Sequence, residues 1–379
     1  MRSKIAIVEC SNYLNVKKSI EKCIKLVGGL KRIINPDNKV LLKPNLINPI
    51  PPEKAATTYP LFVKAIGELV KDIGCEIWIG DSSFGSDPQN TENTFKVSGM
   101  VDITEELDAK LINFHRDRQV RIKIPKGKVL REVVLAESVV KADAIINIPK
   151  LKTHGMTFFT GAVKNLYGCL PTEWKTVVHR KAGQREQFCQ ALLDVYSVIK
   201  PELTIMDAVV GMEGEKGPCY GKPKKIGLII ASEDGIAVDS VACEIVGYAA
   251  NAILTNKFGC ERKLGQNNIK KIKIVGEKLE NVKVKNFEKT SLLLHRELYK
   301  KYKGFGERFV FKPVVNEEKC SKCGVCVENC PVNAIELNPY PTFNRERCIR
   351  CYCCQEGCPH NAVEFRKVFL SKSLDLSRT

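Results

Sequence analysis

Two rhythms of apolar residues alternate along the N-terminal two-thirds of the chain. Ile5–Val8 reads as a strand, and Val16–Ile34 has the spacing of a helix that ends near Asn35-Pro36. Val40–Leu42 is a second strand, Pro60–Ile73 a second helix and Cys75–Ile79 a third strand. Strands that alternate with helices predict βαβ units and a parallel sheet. Further strands fall at Leu111–Asn113, Val120–Ile124, Val133–Leu135, Ala144–Ile148, Leu203–Met206 and Ile226–Ala231, with helices over Gln184–Ile199 and Ala237–Val246. The pattern predicts a large, mostly parallel-sheet α/β domain over residues 1–290 and a basic amphipathic connection at 291–312. A small α+β domain at 313–370 and a polar tail at 371–379 complete the chain.

From residue 316 the rhythm gives way to a repeat. Asn316, Cys320, Cys323, Cys326, Cys330, Pro331, Asn333, Ala334 and Glu336 recur 28 positions later, from Asn344 to Glu364. Each half reads C-x2-C-x2-C-x3-C-P. Three thiolates at this spacing wrap one cubane, and the fourth, turned away by its proline, reaches the other. Cys320, Cys323, Cys326 and Cys358 are therefore expected to hold one [4Fe–4S] cluster, and Cys348, Cys351, Cys354 and Cys330 a second. The pattern resembles the bacterial two-cluster ferredoxins. Zinc, which takes four ligands in pairs, would leave thiolates over. Cys353, beside Cys354, is either an alternative ligand or a free thiol. Each half is too small to bury its own core, so metal must supply part of the folding energy.

Composition adds two points. The chain has 17 cysteines, nine of them between 320 and 358, and its start lacks the apolar stretch and cleavage site of a signal peptide. The expectation is a reducing cytoplasm, with metal rather than disulfides. No segment approaches the roughly 18 consecutive apolar residues of a membrane span. The net charge is +17, yet residues 313–370 carry seven residues of each sign, which leaves about +16 on residues 1–312. Such a domain suits an acidic redox partner, nucleic acid or an anionic substrate, or is simply a lysine-rich solvated surface. Nucleic acid has the least support: aromatic residues are 7% of the chain and no RNA-binding signature appears.

Polar motifs fall where the strands of the large domain end: Lys43-Pro44-Asn45, Gly80-Asp81-Ser82-Ser83 and Pro149-Lys150-Leu151-Lys152-Thr153-His154. Ligands of open α/β sheets bind at the carboxyl ends of strands. Lys164 and Asn165, in the short helix that follows, could join Lys150, Lys152 and His154 in a donor set for a carboxylate or phosphate. Each lysine alone is as well read as a surface charge. His154 suits a general acid or base, a metal ligand or a hydrogen-bonded loop residue, and His179 has less context still. Asp207 follows a strand; Asp234 has the place of a helix cap, and Asp239 sits inside the helical pattern. The glycine-rich stretch Gly211–Gly221 has the makings of a lid. The phosphate-binding glycine signatures of nucleotide and dinucleotide sites are absent.

Together, K-P-N, G-D-S, P-K-x-K-T-H, K-N-x-x-G and A-S-x-D-x-x-A-x-D over about residues 5–250 resemble the iron–sulfur-centre family called domain of unknown function 362, whose members often carry a C-terminal two-cluster ferredoxin. The resemblance implies an architecture and a set of site residues but no activity. His154, Lys152, Lys150, Lys164, Asn165 and Asp81 are the catalytic candidates it points to, and Lys43, Asn45, Asp207, Asp234 and Asp239 the substrate-binding ones. The expected function is an iron–sulfur redox protein, an oxidoreductase or reductive maturation factor, whose clusters relay electrons to or from an anion-binding site on the α/β domain. The alternative is a non-enzymatic electron carrier or docking adaptor for an acidic redox partner protein.

Overall fold

The computed structural model describes residues 3–85, 87–290 and 309–369. Ten strands form one sheet. In chain order they are β1 (Lys4–Glu9), β2 (Lys39–Pro44), β3 (Glu76–Asp81), β4 (Lys110–Asn113), β7 (Ala144–Ile148), β8 (Lys150–His154), β9 (Phe158–Thr160), β10 (Leu203–Glu213), β11 (Lys222–Ser232) and β12 (Lys273–Gly276). Across the sheet the order is β12-β1-β11-β10-β7-β2-β3-β4, with β8 paired to both β10 and β9. Strands β10, β7, β2, β3 and β4 run parallel, and the long β10–β11 hairpin turns the sheet antiparallel before β1. Strands β5 (Gln119–Lys123) and β6 (Glu132–Ala136) form a separate antiparallel ribbon. This is the mixed, mostly parallel α/β domain that the alternation predicts.

The central strands read as continuous apolar runs because helices cover both faces. On one face lie α1 (Val16–Val27), α2 (Pro60–Lys71), α3 (Pro88–Val97) and α4 (Met100–Leu107), over Val40, Leu42, Ile146 and Ile205. α1 stops seven residues short of the predicted Ile34, because Gly28 and Gly29 take φ of 126° and 83°. A short helix, α5 (Glu137–Lys141), follows β6. On the other face α6 (Ala162–Asn165), α7 (Thr172–Ala182) and α8 (Arg185–Ile199) surround a second core. Helices α9 (Gly235–Ile245) and α10 (Leu254–Glu261) pack near the β11 side.

The C-terminal module is α+β. Strand β13 (Phe309–Val315) pairs antiparallel with β16 (Val363–Phe369), and β14 (Ile335–Leu337) with β15 (Pro341–Phe343). One short helix rises from each cysteine loop, α11 (Val325–Glu328) and α12 (Cys353–Glu356). Most of the predicted connection at 291–312, and the tail at 371–379, lie outside the described residues, but Phe309–Lys312 already belong to β13. The core around α8 runs through Phe188, Leu192 and Tyr196 into Cys351, Tyr352 and Cys353, so the module is packed into the α/β domain. The Gly211–Gly221 stretch is shorter as a loop than its glycines suggest. β10 continues to Glu213, and Tyr220 at the tip donates to the Cys358 carbonyl (2.6 Å).

Candidate metal centre and interdomain cavity

The two cysteine loops share a backbone form. Lys322, Gly324 and Asn333 take φ of 61°, 80° and 49°, and Arg350, Tyr352 and Asn361, each 28 positions on, take 55°, 69° and 49°. These turns fold each loop around a small cavity. Cys320, Cys323, Cys326 and Cys358 line one, and Cys330, Cys348, Cys351 and Cys354 line the other. The crossing of the fourth cysteine between halves is thus present in the fold. Each crossing sulfur already accepts a backbone N–H, Cys330 from Ala334 (3.1 Å) and Cys358 from Ala362 (3.2 Å). Four thiols around a closed, apolar space, with N–H groups aimed at sulfur, fit an iron–sulfur cubane. Cys353 is not in either cavity wall; it faces the α/β domain.

The module docks by its second half. A Cβ on Gly155 would come within 2.6 Å of the Tyr352 ring, and Gly357 is pressed as closely on Phe84. Asn48 donates to the Glu356 carbonyl (2.8 Å) and Arg180 to that of Pro331 (3.0 Å). Between the two parts lies a cavity of about 90 Å³. It shares Phe84, Gly85 and Asn329 with a wider crevice of about 640 Å³ that runs along the docking seam.

Both parts build the cavity wall. Asn45 and Asp81 come from the ends of β2 and β3, Lys152 from β8, and Lys164 and Asn165 from α6. Lys175 and His179 come from α7, and Cys353 and Glu356 from α12. Lys152 donates to the Ala56 carbonyl (2.6 Å), and Lys175 to those of Ser82 (2.6 Å) and Ser83 (3.0 Å). The Lys164 ammonium stands 5.5 Å from the centre of the Tyr167 ring. Among the described residues none of the three forms an ion pair. Burial pushes Lys152 and Lys175 down to about 7, because the charged form loses its hydration. Burial pushes Glu356 up to about 7, against the pull of Lys164 and Lys152. Asn45 Oδ1 and His179 Nδ1 are buried in this wall without a hydrogen-bond partner, a need that an occupant of the cavity would meet.

The residues singled out in the sequence divide into three groups. Asn45, Asp81, Lys152, Lys164 and Asn165 meet at the cavity, and Lys43 backs it. Lys43 pairs with Asp81 at 3.0 Å in full burial, and Asp81 also accepts the N–H groups of Leu46 (2.8 Å) and Ser82 (2.7 Å). Asn165 donates to Asn147 (2.8 Å) and the Lys43 carbonyl (3.0 Å) and accepts from Asn45 (3.0 Å). His154 sits behind Glu356, 3.3 Å from its Oε1. His154 Nδ1 accepts the Met156 N–H (3.0 Å), so the proton of the neutral ring belongs on Nε2, toward Glu356. Burial, with Lys164 and Lys152 nearby, holds His154 well below its ordinary range.

The second group is separate and closed on itself. Lys150 pairs with Asp207 (2.8 Å), and Tyr13 joins both (2.9 Å to each) while stacking on Tyr59 at 3.9 Å. Asp234 and Asp239, the third group, hold helix starts: Asp234 accepts from Ala237 (3.0 Å), and Asp239 from Ala162 (2.5 Å) and Val163 (3.1 Å). Asp239 therefore fixes α6, the helix that carries Lys164 and Asn165. The motif of Lys150 and Lys152 is itself a buried strand rather than the loop its polar residues suggest. Lys175 and Glu356 carried no sequence signal, since each reads as an ordinary charge on a helix.

The architecture is that of an α/β domain whose strand ends are closed over by a [4Fe–4S]-binding module. The family described as "Domain of unknown function (DUF362)" matches residues 40–244, and "4Fe-4S binding domain" matches residues 313–336. The chain belongs to the DUF362 family and carries a ferredoxin-like domain that binds at least one [4Fe–4S] cluster. The thylakoid-associated protein sll1697 of Synechocystis sp. is 32% identical over 251 residues, 66% of this chain and 75% of that one. The ketoisovalerate oxidoreductase subunit VorD of Pyrococcus furiosus is 56% identical over 34 residues, 9% of this chain and 32% of that subunit. Among solved structures, the lactate racemase apoprotein of Thermoanaerobacterium thermosaccharolyticum aligns with a TM-score of 0.40 at 11% identity, over 62% of this chain and 55% of that one. No helix among the described residues is long and apolar enough to cross a membrane.

Proposed function

We propose that this protein is an oxidoreductase in which two [4Fe–4S] clusters serve a small anionic substrate held in the interdomain cavity. Cys320, Cys323, Cys326 and Cys358 would hold the outer cluster, and Cys330, Cys348, Cys351 and Cys354 the inner one; bound clusters supply one-electron transfer. The observation that carries the reading is the shared wall. Lys152, Lys164 and Lys175 face it from the α/β domain, while Cys353 and Glu356 face it from the loop that holds the second cysteine cavity. Three lysines in one wall, none of them in an ion pair among the described residues, suit a carboxylate or phosphate-like group, with Glu356 and the Lys43-paired Asp81 the carboxylates that share the wall. A pure carrier has no need of such a chamber. A redox partner protein would meet the outer half, where Cys323 is exposed. We place the protein in a reducing cytoplasm, where cluster-ligating thiols stay reduced.

The test is calorimetric titration of the cluster-loaded chain with phosphate, sulfate and short 2-oxo carboxylates, followed by re-oxidation of the photoreduced clusters with whichever bind. Lys152 and Lys175 both titrate near 7, so each gains its charge as pH falls through that value. Anion affinity therefore rises from pH 8 to pH 6, on the order of tenfold for each proton taken up per pH unit. Lys164→Met, which keeps most of the aliphatic stem, weakens binding at every pH. Absence of binding by the wild type, or equal binding by the variant, sinks the anion site.

A further inference from the structure

Cys353 has no part in the two cysteine cavities, and its surroundings differ from those of an ordinary buried thiol. Its Sγ, the Cys351 Sγ and a ring nitrogen of His179 all lie within 4.8 Å of one another. Ligand atoms around a single tetrahedral ion such as zinc are separated by roughly 3.5–3.8 Å, given Zn–S of about 2.3 Å and Zn–N of about 2.0–2.1 Å. We infer that His179, Cys353 and Cys351 form a site for one thiophilic divalent ion, set in the wall of the interdomain cavity and sharing only Cys351 with the second cysteine cavity.

Three observations support the site. First, the His179 ring is held for a ligand's role: it stacks on Phe188 (centroids 4.4 Å, 14° between planes) and meets the Tyr167 ring edge-on (5.9 Å). Its Nδ1 is buried with no hydrogen-bond partner. Second, the ligands come from both sides of the docking seam, His179 from α7 and the cysteines from the second loop. An ion there would lock the module to the α/β domain as well as bind. Third, the set is specific to one half of the repeat. The position of Cys353 is held by Val325 in the first half.

Two thiolates and an imidazole suit zinc and its neighbours rather than magnesium or calcium. With three protein ligands the fourth position stays open, on the side where His179 and Cys353 line the cavity near Lys152 and Lys164. Cys351 would be shared, since it also lines the second cysteine cavity, and a thiolate sulfur has lone pairs enough to bridge two metals. The inference rests on the two-cluster reading only for that shared role.

The experiment is equilibrium dialysis of the full, cluster-loaded chain against zinc under anaerobic conditions, with iron, sulfide and zinc measured together. The expected result is one zinc per chain beside about eight iron and eight sulfide. In Cys353→Val, which restores the residue of the first half, and in His179→Ala, zinc affinity falls by more than the roughly 10- to 100-fold that loss of an outer-sphere partner costs, while iron is unchanged. Failure of the wild type to bind zinc overturns the site. So does zinc retained in both variants, and so does loss of iron in Cys353→Val, which would make that thiol a cluster ligand. Should one variant not fold, the other, from the opposite side of the seam, decides. Zinc lost in the variants from a chain with only about four irons would keep the site and reject the second cluster instead.

Discussion

The two halves of the cysteine repeat have the same spacing and the same backbone turns, and they have opposite surroundings. In the first half Cys323 and Glu328 are exposed and Val325 is half-buried. At the matching positions of the second half, Cys351, Glu356 and Cys353 are buried, at 9%, 7% and 4% exposure. Nothing within the loops accounts for this. The difference is imposed by the α/β domain, whose Gly155 and Phe84 close on Tyr352 and Gly357. A duplicated cysteine loop thus acquires an outer and an inner face, and residues such as Cys353 and Glu356 gain buried, cavity-facing surroundings that their first-half counterparts lack.

The largest test of the comparison removes one ligand from each half. If both cavities hold cubanes, Cys323→Ser and Cys351→Ser should each cost up to about four of eight iron atoms by chemical analysis, because each removes one of the four thiolates that ligate a cubane. The consequences then diverge. Cys351 belongs to the core shared with Phe188 and Leu192, so its loss should also lower the thermal midpoint of the α/β domain and abolish anion-dependent re-oxidation. Cys323→Ser should leave both intact. Equal damage from the two variants would mean that the inner and outer faces are functionally alike.

A smaller effect comes from the docking seam. Gly155→Val would place its Cβ within 2.6 Å of the Tyr352 ring. Overpacking of this kind costs typically about 1–3 kcal/mol, and here it pries the module from the domain. Gly324, at the position matching Tyr352, has φ of 80° and nothing within 4 Å of its absent Cβ. Gly324→Ala therefore carries only the left-handed backbone cost, about 1–2 kcal/mol, with no loss of docking. Limited proteolysis of the seam separates the two outcomes. Comparable stability losses with equal protease resistance would count against Gly155 as a docking point.

A [4Fe–4S]-binding module was legible from the spacing C-x2-C-x2-C-x3-C-P, because cubane geometry leaves few alternatives. The parallel sheet was legible from its alternating apolar runs. The site was legible in part. The K-P-N and G-D-S motifs end neighbouring strands, β2 and β3, so they had to meet, and Asn165 bonds to both Asn45 and the Lys43 carbonyl. Lys150 looked equivalent to Lys152 but pairs with Asp207 across the β8–β10 contact. Only long-range strand order decides that. Lys175 and Glu356 were illegible for a different reason: a charge on a helix looks solvated until another domain covers it.

The smallest effect is the most discriminating. Glu328 and Glu356 occupy one position of the repeat, and replacing each with Gln changes a single atom. Glu328 is exposed, so Glu328→Gln should stay within about 0.5 kcal/mol in stability and leave anion binding unchanged. Glu356 faces the cavity, and its Oε1 lies 3.3 Å from the protonated nitrogen of His154. The swap is isosteric and His154 Nε2 has no hydrogen bond to lose, so the fold should survive. The wall, however, loses a carboxylate that is pushed up to about 7 and is ionised above it. Below that pH the carboxyl is already neutral and Glu356→Gln should bind anions as the wild type does. Above it the variant should bind a few-fold more tightly, since roughly 1 kcal/mol of repulsion corresponds to about a fivefold change. Calorimetry at pH 6 and pH 8 reads the difference directly. If both glutamines behave alike at pH 8, burial of the second half has not given Glu356 a place in the anion site.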